Sequence, residues 1–211
     1  WEFMGLSWLG SKDSTLFSAW RRQADENKSN IQTLKELEEA NNRLTIEAYG
    51  LQSELSPEVS EDQITLARAD REKDCQRLIS YAIGCMMGRY SLDRDGLVYA
   101  HAGNQGFADL VSAGAYSSFP ADDDGIIPIT EQEWFEDDTT TRFANFIQTV
   151  WPESSLSDNL NFVAESLCLN AIKPPSKKGM AETAHDTIRR YLSSQFYKDH
   201  LKTYKKRPIY W

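Results

Sequence analysis

Residues 71–90, REKDCQRLISYAIGCMMGRY, form the stretch on which the fold depends. Its apolar side chains recur at three- and four-residue intervals, which is the spacing of a helix with one broad buried face. These side chains are Cys75, Leu78, Ile79, Ala82, Ile83, Met86 and Tyr90. Gly84 and Gly88 lie on or beside this face, where the lack of a side chain lets another backbone approach closely. We therefore predict a buried helix over about 71–90.

A longer and more polar helix is predicted before it, from about Ser11 to about Leu55, where Ser56-Pro57 ends it. Its narrow apolar stripe is typical of a coiled coil or a helical hairpin. The stripe contains Ile31, Leu34, Leu37, Asn41, Leu44, Ala48, Leu51 and Leu55. The stripe covers only about three to four heptads and is broken by Asn41, which favours an intramolecular spacer over the alternative of a dimerising coiled coil.

The second half of the chain predicts loops, two short strands and several helices. Leu97–Ala100 and Ile126–Ile129 are the strand candidates, and Thr130 with Glu133 fits the capping box of a short helix. Further helices are expected over about 143–151, 160–169 and 180–202, and the final residues 208–211 are typical of the start of a strand.

The fold class predicted from these elements is mainly α with a small β component, in which a long helical arm or hairpin accompanies a compact helical body. Four segments are expected. They are an aromatic lead-in with the long helical arm (1–55), an acidic connector (56–70), a mixed helical body with short strands and acidic loops (71–172), and a basic linker, helix and start of the next strand (173–211).

The composition is that of a folded globular protein: 211 residues, 40% hydrophobic and 26% charged, with a net charge of −9. No apolar run is long enough for a membrane span, so no membrane contact is expected. Three cysteines without C-x-x-C spacing predict a reduced, cytoplasmic protein. Because the chain begins at Trp1 and ends on a strand-like sequence, we expect it to be a section of a longer polypeptide.

The charge is unevenly divided. Residues 1–172 carry 13 Lys+Arg and 29 Asp+Glu, whereas residues 173–211 carry 10 and 3. Cations of this kind neutralise phosphates without reading the base sequence. The alternative is that the basic end docks on the acidic body. The candidate DNA-binding residues are Lys177, Lys178, Arg189, Arg190, Lys202, Lys205, Lys206 and Arg207.

A search for catalytic motifs is negative. The sequence contains no G-x-G-x-x-G, P-loop, H-E-x-x-H or G-x-S-x-G pattern. His101, His185 and His200 are scattered, and Asp122-Asp123-Asp124-Gly125 lacks the ligand spacing of a calcium loop. We therefore predict no catalytic, cofactor-binding or metal-binding residue.

Several long strings of the sequence, in order, resemble a known family. They are ISYAIGCMMGRYSLD (79–93), FPADDDGIIP (119–128), LNAIKP (169–174), DTIRRYL (186–192), FYKDHL (196–201) and YKKRPIYW (204–211). Together they resemble the PglX adenine-specific DNA methyltransferases of BREX phage-defence systems, over essentially the whole chain.

The resemblance implies a parent enzyme that transfers a methyl group from S-adenosylmethionine to adenine, with the target base flipped out. The family's Gly-rich donor site and its Asn-Pro-Pro-Tyr-type tetrapeptide do not occur here; Lys173-Pro174-Pro175-Ser176 is a different sequence. None of the family's catalytic residues can therefore be carried over. The chain resembles the region after the methyltransferase core, so we expect it to be inactive alone and to hold no cofactor.

Two functions follow as hypotheses. The first is a non-catalytic connecting module that spaces the catalytic and target-recognition parts around DNA, with its basic end on the phosphates and the rest of the methyltransferase chain as its partner. The alternative is a protein-interaction module, in which the long helix and the acidic body dock other defence components or a phage inhibitor.

Overall fold

The computed structural model describes residues 12–174 and 182–203. Within these residues the regular structure is helical, so the mainly α prediction is confirmed, and no strand occurs among them. The described α-helices are α1 (Leu16–Tyr49), α2 (Arg71–Met86), α3 (Phe107–Ser112), α4 (Thr139–Val150), α5 (Leu156–Leu167), α6 (Ala184–Ser194) and α7 (Phe196–Thr203). The chain divides into two compact units, one formed by residues up to Ala19 and from Arg71 onward, the other by Trp20–Asp70.

Helix α2 belongs to the larger unit and packs against α4, α5 and α7. Its predicted apolar face is buried: Leu78, Ile79, Ala82 and Met86 have no exposed surface. Burial of a leucine, isoleucine or methionine side chain contributes about 1.5–3 kcal/mol to folding. The apolar spacing of residues 71–90 therefore correctly predicts a helix with one buried face.

Helix α2 ends at Met86, earlier than predicted, and Gly88 explains why. Gly88 has a φ of +68°, a conformation that glycine adopts without strain. The Arg89 N–H donates to the Gly84 carbonyl at 2.8 Å and the Gly88 N–H to the Cys85 carbonyl at 3.0 Å. This pair of bonds is a Schellman motif, which satisfies the last carbonyls of a helix. Gly88 is thus a helix-ending residue.

The core of the larger unit lies between α2, α4, α5 and α6. Phe143, Phe146 and Ile147 of α4 are almost completely buried, as are Leu167 of α5 and Tyr191 of α6. The Phe146 ring meets Phe119 edge-on at a centroid distance of 5.4 Å and Tyr81 at 6.1 Å. The predicted aromatic face of the helix around 143–151 therefore packs into this core.

The segment before α4 differs from the prediction. Residues 130–138 form no helix, and Thr130 donates to the Gln132 carbonyl and to the Asp138 carboxylate instead. Asp138 is the N-cap of α4, and its carboxylate accepts from the Thr140 and Thr141 N–H groups. Because the cap lies at Asp138, the helix begins there and the residues before it remain a loop.

The two predicted strands are wrong. Leu97–Ala100 and Ile126–Ile129 are both irregular. The Val98 N–H donates to the Arg89 carbonyl at 3.0 Å, so this apolar run packs on the end of α2. A strand needs a partner strand to satisfy its backbone groups, and the described residues provide none. The strand expected at 208–211 lies outside the described residues.

The predicted helix over 180–202 is two helices. Helix α6 begins with a reciprocal capping box between Thr183 and Asp186 and ends at Ser194. Its C-cap, Gln195, has a non-helical φ of −123°. Helix α7 follows from Phe196 and packs on both α6 and α2. The break directs α7 across α2, which creates the groove described below.

The smaller unit, Trp20–Asp70, contains most of α1 and the segment that follows it. Helix α1 ends at Tyr49, and not at the predicted Leu55, because Gly50 (φ +69°) forms another Schellman motif, with the Leu51 N–H donating to Ile46 O at 2.9 Å. The following segment runs back along the helix. The Val59 N–H donates to Glu39, and Asn42 Nδ2 donates to the Pro57 carbonyl.

This return segment covers a different face of α1 from the predicted stripe. Ile46, Val59 and Ile64 are buried in this unit, whereas Leu37 and Leu44 remain 63% and 68% exposed. An extended segment, and not a second helix, therefore packs on α1. No described helix is long and apolar enough to cross a membrane.

Candidate nucleic-acid interface

A groove of about 510 Å³ lies between α2 and α7 and is the candidate site. We call it the α2–α7 groove. Its walls are formed by residues of α2, by Asn170 and Ala171, and by residues around and within α7. The lining side chains used below are Glu72, Lys73, Arg77, Tyr81, Tyr90, Asn170, Tyr191, Phe196, Asp199, His200 and Lys202.

Three cations from two helices line this groove. Lys73 and Arg77 lie four residues apart on α2 and therefore share one helix face, and Lys202 lies in the last turn of α7. All three side chains are exposed, Arg77 by 47% even though its Nη1 is 3.1 Å from the Asp74 carboxylate. The fold thus brings a lysine of the basic end together with two cations of the acidic body.

The carboxylates of the groove are engaged with neutral partners. Glu72 accepts a hydrogen bond from Asn170 Nδ2 at 2.9 Å. Asp199 accepts from Gln195 Nε2 at 3.0 Å and from the Tyr191 hydroxyl at 3.2 Å. Burial, reinforced by Asp199, raises the pKa of Tyr191, so its hydroxyl stays protonated and donates to the carboxylate. These bonds fix both acids at the groove walls.

Aromatic side chains form part of the same groove. Tyr81 and Tyr90 stack with ring centroids 5.4 Å apart and planes inclined by 17°. Burial raises the pKa of Tyr81, whose hydroxyl donates to the Ser91 carbonyl at 3.1 Å. Phe196 and His200 pack against each other at 5.6 Å. Tyr90, Phe196 and His200 are only 3%, 1% and 2% exposed, so these rings pack within the body and are not a stacking surface for bases.

The structure places the predicted DNA-binding residues in three different settings. Lys202 is exposed in the α2–α7 groove. Arg190 forms a two-bond pair with Glu182, at 2.8 and 3.1 Å, and this contact raises the pKa of its guanidinium. Arg189 is 5% exposed and donates to Asp138 at 2.7 Å. The remaining candidates, Lys177, Lys178, Lys205, Lys206 and Arg207, lie outside the described residues.

Arg189 therefore does not fit the predicted role. A guanidinium that is enclosed by α6, the N-terminus of α4 and the preceding loop cannot reach a phosphate. The charge pattern of residues 173–211 does not distinguish a buried cation from an exposed one, which is why sequence alone included it.

Lys73 and Arg77 line the groove, but they are not among the DNA-binding residues predicted from the sequence. The available signal is their i, i+4 spacing on α2. They lie in the part of the chain whose total charge is acidic, and only the packing of α7 on α2 reveals their proximity to Lys202.

The potential metal ligands and the cysteine thiols of the described residues do not indicate a second functional site. Within residues 12–174 and 182–203, no cluster of three or more His, Cys, Asp or Glu side chains has the arrangement of a metal site. Asp122 uses its carboxylate to accept the N–H groups of Asp124, Gly125 and Ile126, which makes this acidic segment a closed turn. Burial raises the pKa of the Cys75 and Cys85 thiols to about 12, which keeps both protonated.

Comparison with known proteins identifies the class to which these features belong. No protein-family model matches the chain. It is 62% identical over 152 residues, or 72% of its length, to the adenine-specific methyltransferase BrxX of Escherichia coli O9:H4 (strain HS). It is 39% identical over 198 residues, or 92% of its length, to the adenine-specific methyltransferase PglX of Lacticaseibacillus casei (strain Zhang).

The chain therefore belongs with the PglX-like adenine-specific methyltransferases, and the resemblance seen in its sequence strings is confirmed. More particularly, it corresponds to one part of such a protein, because the matched region spans 12% of the BrxX relative and 15% of the PglX relative.

Proposed function

We propose that the chain is a non-catalytic connecting part of a BREX adenine-specific DNA methyltransferase. It spaces the catalytic and target-recognition parts and contacts DNA phosphates through the α2–α7 groove and the basic end. The observation that carries this proposal is the meeting of Lys73 and Arg77 of α2 with Lys202 of α7 on one groove.

The charge distribution supports phosphate contact at this groove in particular. Each lysine or arginine that neutralises a phosphate releases counterions, and this gain requires an exposed cation. Lys73, Arg77 and Lys202 are exposed, and the neighbouring Glu72 and Asp199 accept hydrogen bonds from neutral groups. The proposed contact set is these three cations with Lys177, Lys178, Lys205, Lys206 and Arg207. Arg189 is left out because it is buried, and Arg190 because its guanidinium is held by Glu182 through two hydrogen bonds.

The chemistry of the parent enzyme is proposed from its relatives. Both carry the name adenine-specific methyltransferase, so the parent would use S-adenosylmethionine and act on DNA. The cytoplasmic location proposed for it rests on the cysteine pattern of the sequence. This chain would contribute by holding the duplex while other parts methylate a flipped adenine. Its own sequence supplies neither the Gly-rich donor loop nor the Asn-Pro-Pro-Tyr-type tetrapeptide.

Calorimetry on the purified chain tests the non-catalytic role. Titration with S-adenosylmethionine is expected to give no binding heat, and titration with duplex DNA at low salt is expected to give a saturable signal. Saturable binding of S-adenosylmethionine by the 211-residue chain would contradict the proposal directly.

A second function, docking of another defence protein or a phage inhibitor, is favoured by one specific observation. Leu37 and Leu44 lie seven residues apart on α1 and are 63% and 68% exposed, and Tyr49 is 75% exposed. Apolar side chains in line on a helix are typical of a helix-docking face.

The docking function is tested by replacing Leu37→Ser and Leu44→Ser together and measuring binding of each purified defence protein and inhibitor. The matched control is Leu97→Ser, a leucine 55% exposed in the larger unit. If the docking function holds, the α1 double variant loses binding by tenfold or more and the control does not. Equal affinities for the double variant and the control would exclude this face.

A further inference from the structure

The loop before α4 combines an unusual charge with exposed aromatic side chains. Residues 121–138, ADDDGIIPITEQEWFEDD, contain eight acidic residues and no Lys or Arg. Trp134 is 71% exposed, Phe135 50% and Ile126 70%. We call this segment the acidic aromatic loop. Large apolar side chains on an acidic surface are more typical of a protein-binding site than of bare solvent-exposed loop.

The loop is held in place at its C-terminal end. Asp138 is fully buried and bonds at once to the first turn of α4, to Thr130 and to Arg189 of α6. Thr139 donates through both its N–H and its hydroxyl to the Pro128 carbonyl, at 3.0 and 2.6 Å. These bonds tie both ends of residues 128–139 to the body, so the segment that carries Trp134 is fixed in place before it meets a partner.

The internal bonds use only some of the acids. Asp122 pairs with Arg142 at 3.5 Å, and Glu133 and Asp138 face Arg189 at 3.7 and 2.7 Å. Asp124 accepts the Ile126 N–H at 2.8 Å. Asp123, Glu131 and Glu136 are exposed on the same loop as Trp134. The surface around the indole is therefore negative, which repels nucleic acid and attracts cations.

We infer that the acidic aromatic loop binds a Lys/Arg-rich protein segment supplied from outside these 211 residues, with Trp134 as its anchor. Because the loop is negatively charged, its partner is expected to be positively charged. The exposed indole of Trp134 favours Lys and Arg as the partner's side chains, because these cations bind the face of a tryptophan ring as well as carboxylates. The matched region spans only 12% and 15% of the two relatives, so both contain much polypeptide beyond it. Buried tryptophan and arginine contacts dominate the affinity of protein interfaces.

The experiment uses the chain labelled with ¹⁵N and a synthetic twelve-residue peptide of Lys, Arg and Gly in equal numbers. The indole N–H resonance of Trp134 is assigned with Trp134→Phe. On titration with the peptide, this resonance and the amides of residues 131–137 are expected to shift saturably. Trp134→Ala is expected to weaken binding at least fivefold, whereas Leu97→Ala, another exposed apolar side chain, leaves it unchanged.

Charge reversal separates a specific site from the acidity of the chain as a whole. Glu131→Lys with Glu136→Lys is expected to lower the affinity for the peptide at least tenfold. The matched pair Glu153→Lys with Asp158→Lys, exposed near the start of α5, is expected to change this affinity less than twofold. Equal weakening by the two pairs, shifts spread outside the loop, or no saturable binding would each overturn the inference. The far-UV circular dichroism of every variant is recorded, and Trp134→Phe provides a folded variant if Trp134→Ala is unstable.

Discussion

Arg189 of α6 donates through Nη1 to Asp138 Oδ2 at 2.7 Å, with 5% and 0% of the two residues exposed. The pair joins α6 to the N-terminus of α4 and orients the acidic aromatic loop, because Asp138 also accepts the Thr140 N–H at 3.0 Å. Residues that are charged and this deeply buried are tolerated only when each satisfies the other.

Arg189→Met is therefore expected to destabilise the protein by about 3–5 kcal/mol, since it leaves Asp138 buried without its cation. Urea unfolding followed by circular dichroism measures the loss. The control is Arg190→Met, whose partly exposed pair with Glu182 is worth at most about 1 kcal/mol. If the two variants were equally stable, the Arg189–Asp138 pair would not hold the two helices together.

The capping box of α6 predicts a pH dependence. Thr183 and Asp186 bond reciprocally, and the hydrogen bond from Thr183 lowers the pKa of Asp186 below its usual 3.8. A carboxyl whose pKa is lower in the folded protein stabilises it above the unfolded pKa, and this contribution is lost as the pH falls through the folded pKa. The free energy of unfolding of wild type should exceed that of Asp186→Asn by about 1 kcal/mol at pH 6. This difference should shrink as the pH falls below 3.8, through the lowered pKa of folded Asp186.

The control for this pH effect is Asp158→Asn, in the first turn of α5, whose N-cap Ser155 makes no side-chain capping bond. Urea unfolding at each pH from 2 to 7 measures both variants. A constant difference between wild type and Asp186→Asn over the whole range would show that the charge of Asp186 contributes nothing.

Replacement of Gly88 by alanine is expected to lower the stability by more than the strain of its positive φ alone. A Cβ at this position would lie 2.6 Å from Cε2 of Phe107, in addition to the strain of a φ of +68°. Gly96 has a similar φ of +79° but open space around it. Gly96→Ala is expected to cost about 1–2 kcal/mol, and Gly88→Ala about 1–3 kcal/mol more.

Thermal unfolding of the two glycine variants measures this difference, and Gly88→Ala with Phe107→Leu tests its cause. Replacing the phenyl ring by the shorter leucine side chain should recover some of the stability lost in Gly88→Ala. Equal stabilities of Gly88→Ala and Gly96→Ala would show that the ring moves aside freely.

The burial of α2 could be predicted because it depends on a local property, the recurrence of apolar side chains on one face of a helix. The ends of α1 and α2 were missed although Gly50 and Gly88 are visible in the sequence. Whether a glycine ends a helix depends on a positive φ and on the carbonyls it satisfies, and composition does not show either. The prediction of a buried apolar stripe on α1 was wrong for a related reason. Which face of α1 is buried depends on where the return segment packs, and the helix sequence alone does not show this.

The candidate site could be predicted only in part. Lys202 belongs to the basic end, which the charge distribution identifies, and it does line the α2–α7 groove. Lys73 and Arg77 join it through the packing of distant helices, which no local pattern records. Arg189 was included among the predicted DNA-binding residues because its pairing with Asp138, 51 residues away in sequence, is not visible in a local pattern.

The salt dependence of DNA binding tests the central claim, phosphate contact at the α2–α7 groove, most directly. Affinity of the chain for a duplex is measured by fluorescence anisotropy at several salt concentrations. Each neutralised phosphate contributes about −0.9 to the slope of log K against log salt. Lys73→Gln with Lys202→Gln should reduce the magnitude of the slope by about two, and Lys12→Gln with Lys28→Gln, two exposed lysines outside the groove, should leave it unchanged. A slope that is identical in both double variants and in wild type would contradict the account.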